Sequence, residues 1–160
     1  MILMGIDAST KDTGYSIFDN SKLIKYGNIA ASSSDVIARI SKITKELQQI
    51  LTQYHPDKVY IEDIMPADVH NNIEIYKKLT YLQGFIVTIL HSLNIPYVLI
   101  TASHWRKACG IKTGAKIKRA TLKEEDINFV AVKFGITTND DIADAIGIGW
   151  CGVLECGGVS

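Results

Sequence analysis

Four carboxylates stand where the sequence pattern changes from one element to the next. Asp7 closes a short apolar run, and Glu62 lies near the end of the apolar run VYIEDI. Asp141 and Asp144 are three residues apart at the start of a late helical pattern, so they share one helix face. Converging carboxylates repel one another unless cations are present, and oxygen-only sites suit Mg²⁺ or Mn²⁺. Two such ions about 3.5–4 Å apart can clamp the attacking and leaving oxygens of a phosphodiester.

Each of these acids also has a simpler explanation. Asp7 can be a turn former, and Asp141 and Asp144 can complement the helix dipole. Asp140, or Asn139 before it, is better placed as the N-cap. Glu62 is harder to explain in this way, because an apolar strand invites burial and a buried glutamate needs a partner. No single position decides the matter, but the set of four favours a common site.

The charges of the chain are unevenly distributed, although the net charge is zero. Between positions 106 and 123 there is no acidic residue, but there are seven basic ones: Arg106, Lys107, Lys112, Lys116, Lys118, Arg119 and Lys123. A basic segment beside carboxylate clusters is what a metal-dependent enzyme acting on a polyanion needs. The alternative is a solvated basic helix face.

Length and composition indicate a single folded domain over residues 1–160. With 47% apolar residues the chain can bury a core, which excludes a disordered protein. No run of about 18 uncharged apolar residues occurs, so no membrane span is predicted. The N-terminus lacks a basic start and is interpreted as a strand, not a signal peptide. Cys109, Cys151 and Cys156 have no metal-ligand spacing and indicate a reducing compartment.

The elements that must position the carboxylates follow from periodicity. Three strand-like runs joined by short turns, ILMGID, GYSIFD and LIKYGNI, predict an antiparallel meander. A helix over about 35–51, the strand KVYIEDI, a helix over about 71–93 and the strand IPYVLI come next. Further helices are predicted for ASHWRKAC, for about 115–134 and for about 140–154. This order predicts an α/β fold, a five-stranded mixed sheet with helices on both faces.

The order Asp, Glu, Asp-x-x-Asp in these contexts resembles the RuvC-type Holliday-junction resolvases, which belong to the RNase H-like nucleases. The matching stretches are GIDASTKDTGYSIF, VYIEDIM and NDDIADAIGIG, and the resemblance spans about residues 3 to 152. It implies an RNase H-like fold and a Mg²⁺-dependent (or Mn²⁺-dependent) endonuclease that resolves four-way DNA junctions by paired symmetric nicks. It also implies a homodimer with two ions per active site, acting in the cytoplasm of a bacterium or of a phage-infected cell.

The resemblance also implies roles for individual residues. Lys116, six residues after Gly110, would approach the scissile phosphate, and Arg106 or Lys107 would match a second basic position. Family members often carry an aromatic wedge three residues after the glutamate, where this chain has Met65, an apolar side chain that can still insert at the crossover. The metal ligands would be Asp7, Glu62, Asp141 and Asp144. The remaining basic residues are expected to contact the DNA backbone, namely Lys112, Lys118, Arg119 and Lys123.

Other interpretations remain open from sequence. A nuclease for RNA–DNA hybrids or flaps would use the same acids, and a non-catalytic binder of branched nucleic acid would not need all four. The sugar-kinase and actin-like superfamily also opens with GID, but its two domains do not fit in 160 residues. Trp105 can stack on a base or pack inside the protein. The helix over 71–93 can form a dimer interface or pack only on its own sheet.

Overall fold

The computed structural model describes residues 1–66, 72–114 and 117–157. The predicted meander is confirmed, with β1 (Ile2–Asp7) paired antiparallel to β2 (Asp12–Asp19), and β2 to β3 (Lys22–Ala30). On the other side of β1, β4 (Lys58–Glu62) and β5 (Tyr97–Ile100) add in parallel. The strand order is therefore β3-β2-β1-β4-β5, the five-stranded mixed sheet that the sequence predicts.

Five helices complete the described part of the chain: α1 (Val36–Tyr54), α2 (Ile73–Ser92), α3 (Ala102–Ala108), α4 (Arg119–Phe134) and α5 (Asp140–Glu155). The predicted start of α4 near residue 115 is wrong, because Lys118 is extended (φ −67°, ψ 145°) and the helix begins only after it. None of the helices in the described ranges has both the length and the apolar character needed to cross a membrane.

The central strands β1, β2 and β4 are buried on both faces, and two apolar cores result. Successive side chains of a strand point to opposite faces, so Met4 packs in the core with α1 and α2, and Leu3 packs in the core with α5. Both side chains are fully buried. This double burial explains why β1 is apolar up to Asp7 and does not alternate with polar residues.

Glycines let α5 lie directly against β1 and β2. A Cβ at Gly5 would lie 2.3 Å from the Gly149 nitrogen, and one at Gly14 would lie 2.1 Å from the Asp141 carbonyl oxygen. The hydroxyl of Ser16 donates a hydrogen bond of 2.6 Å to the carbonyl oxygen of Ala145. Because these contacts fix the height and register of α5, they place its first turns beside the end of β1.

Candidate active site

The structure brings the four predicted carboxylates to one cleft. Asp7 ends β1 and Glu62 ends β4, and the parallel register Ile6↔Ile61 places these two strand ends side by side. The first turns of α5 supply Asp141 and Asp144. All four line a cleft of about 810 Å³. The convergence is a structural finding, whereas the role of these residues as metal ligands stays a prediction.

The carboxylates interact strongly in the absence of a cation. Burial, followed by the charges of Glu62 and Asp141, raises the pKa of Asp7 well above its usual value. Burial, with Asp7 as the largest charge contribution, raises the pKa of Asp144 to about 9. The pKa of Asp141 is raised as well, mainly by burial. Such shifts mean that the cleft stabilises these side chains as anions only when positive charge is added.

One oxygen of the cleft also lacks a partner. Asp144 Oδ1 is fully buried, and no hydrogen bond from the described residues reaches it. A buried polar atom without a partner is costly and indicates a missing ion or water. The donor set consists of carboxylate oxygens, which is the chemistry that Mg²⁺ and Mn²⁺ prefer. The residues present therefore fit hard divalent cations.

Trp105 contacts Glu62 from the buried side of the cleft. The side chain is completely buried on α3, and its indole Nε1 donates a hydrogen bond of 2.7 Å to Glu62 Oε2. A Cβ at Gly147 would lie 2.5 Å from the ring, so this glycine provides the space for the indole. The base-stacking interpretation of Trp105 is wrong and the packing interpretation is correct. The contact between Trp105 and Glu62 was not predicted from the sequence.

Arg106 is an internal cation of the site and not part of an exposed basic face. Its guanidinium forms a two-pronged ion pair with Asp126, at 2.8 to 3.0 Å, and Nη2 lies 3.7 Å from Asp144 Oδ2. The side chain of Asp126 has no solvent exposure and that of Arg106 only 11%. Asp126 and Asp144 therefore hold the guanidinium of Arg106, which also lines the cleft, and its predicted contact with DNA stays a prediction.

Lys123 provides a second positive charge at the cleft. It forms an ion pair with Asp140, lines the cleft, and lowers the pKa of Asp7 and of Asp141. The helix cap next to this pair is Asn139, whose side chain accepts a hydrogen bond from the Ile142 amide. Lys123 therefore lies closer to the carboxylates than is expected of a residue that contacts only the DNA backbone.

The remaining predicted residues lie around the cleft or outside the described ranges. Lys107, Lys112 and Lys118 are exposed, and Arg119 is exposed and lines the cleft. Met65 is 42% exposed just after β4. Lys116 lies outside the described residues, so its expected role near the scissile phosphate remains a prediction.

The sequence model of the family described as crossover junction endodeoxyribonuclease RuvC matches residues 3–152. The chain belongs to this family. Membership confirms the resemblance found in the sequence and makes the protein a structure-selective, junction-resolving endodeoxyribonuclease.

Individual relatives agree with this assignment to the RuvC family. A crossover junction endodeoxyribonuclease RuvC from Chlorobium phaeovibrioides is 26% identical over 99% of this chain and 84% of its own length. Among solved structures, Thermus thermophilus RuvC in complex with a Holliday junction substrate has a TM-score of 0.78 at 18% identity, covering 99% of this chain and 96% of that one. The Fowlpox virus resolvase bound to Holliday junction DNA has a TM-score of 0.67 at 19% identity, covering 98% and 99%. At these identities the structures show a shared fold.

Proposed function

We propose that this protein resolves four-way DNA junctions by paired, symmetric nicks, with Asp7, Glu62, Asp141 and Asp144 holding two divalent ions. The observation that carries the proposal is the convergence of these side chains, from two strand ends and one helix, on a single cleft. Membership of the RuvC family supports the substrate class. The RuvC relative from Chlorobium phaeovibrioides is a bacterial protein, which supports a bacterial cytoplasm as the setting.

Mg²⁺ is the expected ion, with Mn²⁺ as a substitute. Carboxylate oxygens, the raised pKa values of Asp7 and Asp144, and the orphaned Asp144 Oδ1 all support a hard divalent cation. When bound, ions of this kind supply Lewis acidity to the scissile phosphodiester and to the attacking water. A hydrolysis assisted by two such ions needs no side chain as a covalent nucleophile.

The neighbouring residues of the chain orient the carboxylates. The indole of Trp105 donates a hydrogen bond to one oxygen of Glu62 and so fixes the orientation of the carboxylate group. The other oxygen belongs to the same group, so its position is fixed as well. Arg106, held by the buried Asp126, restrains Asp144 from the α3 side. A ligand set held in this way loses less conformational entropy when it binds ions and substrate.

Exposed basic residues provide the contacts to the polyanion. Lys107, Lys112 and Lys118 are exposed on the segment from α3 to the start of α4, and Arg119 lies at the rim of the cleft. Such side chains neutralise phosphates without reading sequence, and they make affinity depend on salt. Selection of a branched substrate therefore depends on where the DNA arms lie and not on base contacts by these residues.

Paired nicks need two active sites, and the structure has a surface suited to a second copy. On α2, Tyr81 and Phe85 are 54% and 51% exposed. Tyr97 and Leu99 on the edge strand β5 are each 39% exposed. Exposed apolar residues of this number favour burial against a partner. We infer that α2 and β5 form the homodimer interface.

The substrate class is tested with purified protein and a panel of DNAs. The panel contains a four-way junction labelled on two opposite strands, a Y-fork, a linear duplex and an RNA–DNA hybrid, each with Mg²⁺ or with a chelator. The proposal predicts Mg²⁺-dependent nicks at symmetric positions in the junction and slow or no cutting of the duplex and the hybrid. Preferential cutting of the hybrid or the fork would support the other RNase H-like activities instead. Tight junction binding without any cleavage would support a non-catalytic relative.

A further inference from the structure

A second group of potential metal ligands lies outside the carboxylate cleft. His104 on α3 and Cys151 and Glu155 on α5 each direct one donor atom to the same place, and the three atoms lie within 4.8 Å of one another. None of these three residues lines the cleft. Cys151 is seven residues beyond Asp144, which corresponds to about 10 Å along a helix.

This group cannot be recognised in the sequence, because its members come from two different helices. Cys151 and Glu155 are four residues apart, so they lie on the same face of α5. His104 joins them only because α3 packs closely on α5, where the ring of Trp105 fills the space beside Gly147. The expectation that the cysteines have no metal-ligand spacing therefore holds along the chain but not in space.

The distances are close to those of a tetrahedral site. His104 Nε2 is 2.6 Å from Glu155 Oε1, and Cys151 Sγ is 3.9 Å from the same oxygen. Zinc–ligand bonds of about 2.0–2.3 Å place neighbouring ligand atoms of a tetrahedron roughly 3.3–3.8 Å apart. The His104–Glu155 pair must open by less than about 1 Å, and both side chains are solvent-accessible (53% and 37% exposed), so rotation about their own bonds is sufficient.

We propose that His104, Cys151 and Glu155 form a site for a borderline-soft divalent cation of the zinc class. One nitrogen, one sulfur and one oxygen ligand suit Zn²⁺ or Co²⁺ and do not suit Mg²⁺, which prefers oxygen. The exposed side of the site leaves a fourth position for water. The alternative is a surface ion pair between His104 and Glu155 with the Cys151 thiol as a neighbour.

A cation bound at this site would connect α3 and α5, the two helices that position residues of the carboxylate cleft. His104 directly precedes Trp105 and Arg106, which contact Glu62 and Asp144. Cys151 and Glu155 lie on the helix that carries Asp141 and Asp144. A cation at this point would cross-link α3 to α5, and its expected effect is on stability rather than on the chemistry of the cleft.

Cobalt spectroscopy tests the site directly, because only a thiolate ligand gives a sulfur-to-cobalt charge-transfer band. The full chain is freed of metal with a chelator, exchanged into saturating Mg²⁺ to occupy the carboxylates, and titrated with Co²⁺. The proposal predicts a charge-transfer band that saturates at one equivalent and is displaced by Zn²⁺. Zn²⁺ should also raise the melting temperature by several degrees under the same conditions.

Variants assign the ligands. Cys151→Ala should abolish the band, and His104→Ala or Glu155→Gln should weaken Co²⁺ binding by about tenfold or more. Cys156→Ser is the matched control at the end of the same helix and should keep the band. Since Cys151 is buried, the exposed His104 variant keeps the test valid if the Cys151 variant does not fold. Absence of the band in the wild type, its survival in Cys151→Ala, or full affinity in His104→Ala would overturn the proposal. The site and its test do not depend on cleavage activity.

Discussion

The indole nitrogen of Trp105 lies 2.7 Å from a carboxylate oxygen of Glu62, although the two residues are 43 positions apart in the chain. This hydrogen bond connects α3 to the end of β4. It fixes the orientation of one proposed ligand from the buried side of the cleft. A residue that never contacts the substrate can therefore influence the reaction through the ligand that it positions.

Trp105→Phe tests this connection because phenylalanine keeps an aromatic ring beside Gly147 and removes the donor. A hydrogen bond to a charged group contributes about 1.5–3 kcal/mol. The single-turnover cleavage rate at limiting Mg²⁺ should fall by about tenfold or more, with junction binding unchanged. Trp150→Phe is the control, since Trp150 is buried among Phe18 and Phe134, away from the cleft. Equal rates for the two variants would show that the indole hydrogen bond is not used.

The ion pair between Arg106 and Asp126 should contribute to the stability of the protein. Asp126→Asn leaves a guanidinium with 11% side-chain exposure and without its main anionic partner, which costs about 3 kcal/mol or more in the free energy of unfolding. Urea denaturation measures the loss, and Glu125→Gln, an exposed neighbour on the same helix, serves as the control. If the two variants unfold at the same urea concentration, the pair is not a structural element of the site.

The metal-free protein should lose stability as the pH rises. The folded-state pKa values of Asp7, Asp141 and Asp144 are raised above those of the unfolded chain, so the folded state holds protons that the unfolded chain has released. Their stabilising contribution is complete below about pH 4 and is lost towards pH 9, the folded-state pKa of Asp144. Melting temperatures from pH 5 to 9 in a chelator should therefore decline, and Mg²⁺ should reduce the decline.

Asp144→Asn provides the comparison, because other groups also titrate in this range. The variant should show a smaller decline than the wild type in the chelator, and it should respond less to Mg²⁺. If the melting temperatures of the two proteins decline equally with pH, the charge of Asp144 does not interact with the other carboxylates of the cleft.

The exposed aromatic residues of α2 should be needed for dimerisation. Tyr81→Asp combined with Phe85→Asp places charges in the proposed interface and should shift the protein from dimer to monomer, as measured by light scattering after gel filtration. The control is Val132→Asp on α4, where the side chain is 80% exposed and no role in dimerisation is expected. The monomeric variant should also nick the two strands of a junction independently. If the double variant remains a dimer, the interface does not include this part of α2.

Much of this architecture could be predicted from local pattern. Alternation and helical spacing located the strands and helices, and the rule that sites form at strand ends selected Asp7 and Glu62. The start of α4 was missed because nothing in the apolar pattern indicates that Lys118 is extended.

The supporting contacts of the site could not be predicted, because they join distant parts of the chain. Trp105 and Glu62 are 43 residues apart, and Arg106 and Asp126 are 20 apart on different helices. Arg106 belongs to a basic run in the sequence, and only its burial against Asp126 separates it from the exposed lysines. Such pairs depend on how helices pack on the sheet and on one another, which periodicity does not encode.

The role of the four carboxylates is tested most directly by single-turnover cleavage of a four-way junction with variants of equal size. Asp7→Asn, Glu62→Gln, Asp141→Asn and Asp144→Asn remove one negative charge each and leave the basic surface intact. Each should reduce the Mg²⁺-dependent rate by at least about 1,000-fold, or about 4 kcal/mol, while junction affinity stays equal or increases. Asp63→Asn, a neighbouring carboxylate that also lines the cleft, is the control and should cleave at nearly the wild-type rate. A near wild-type rate in any one of the four variants would contradict its assignment as a metal ligand.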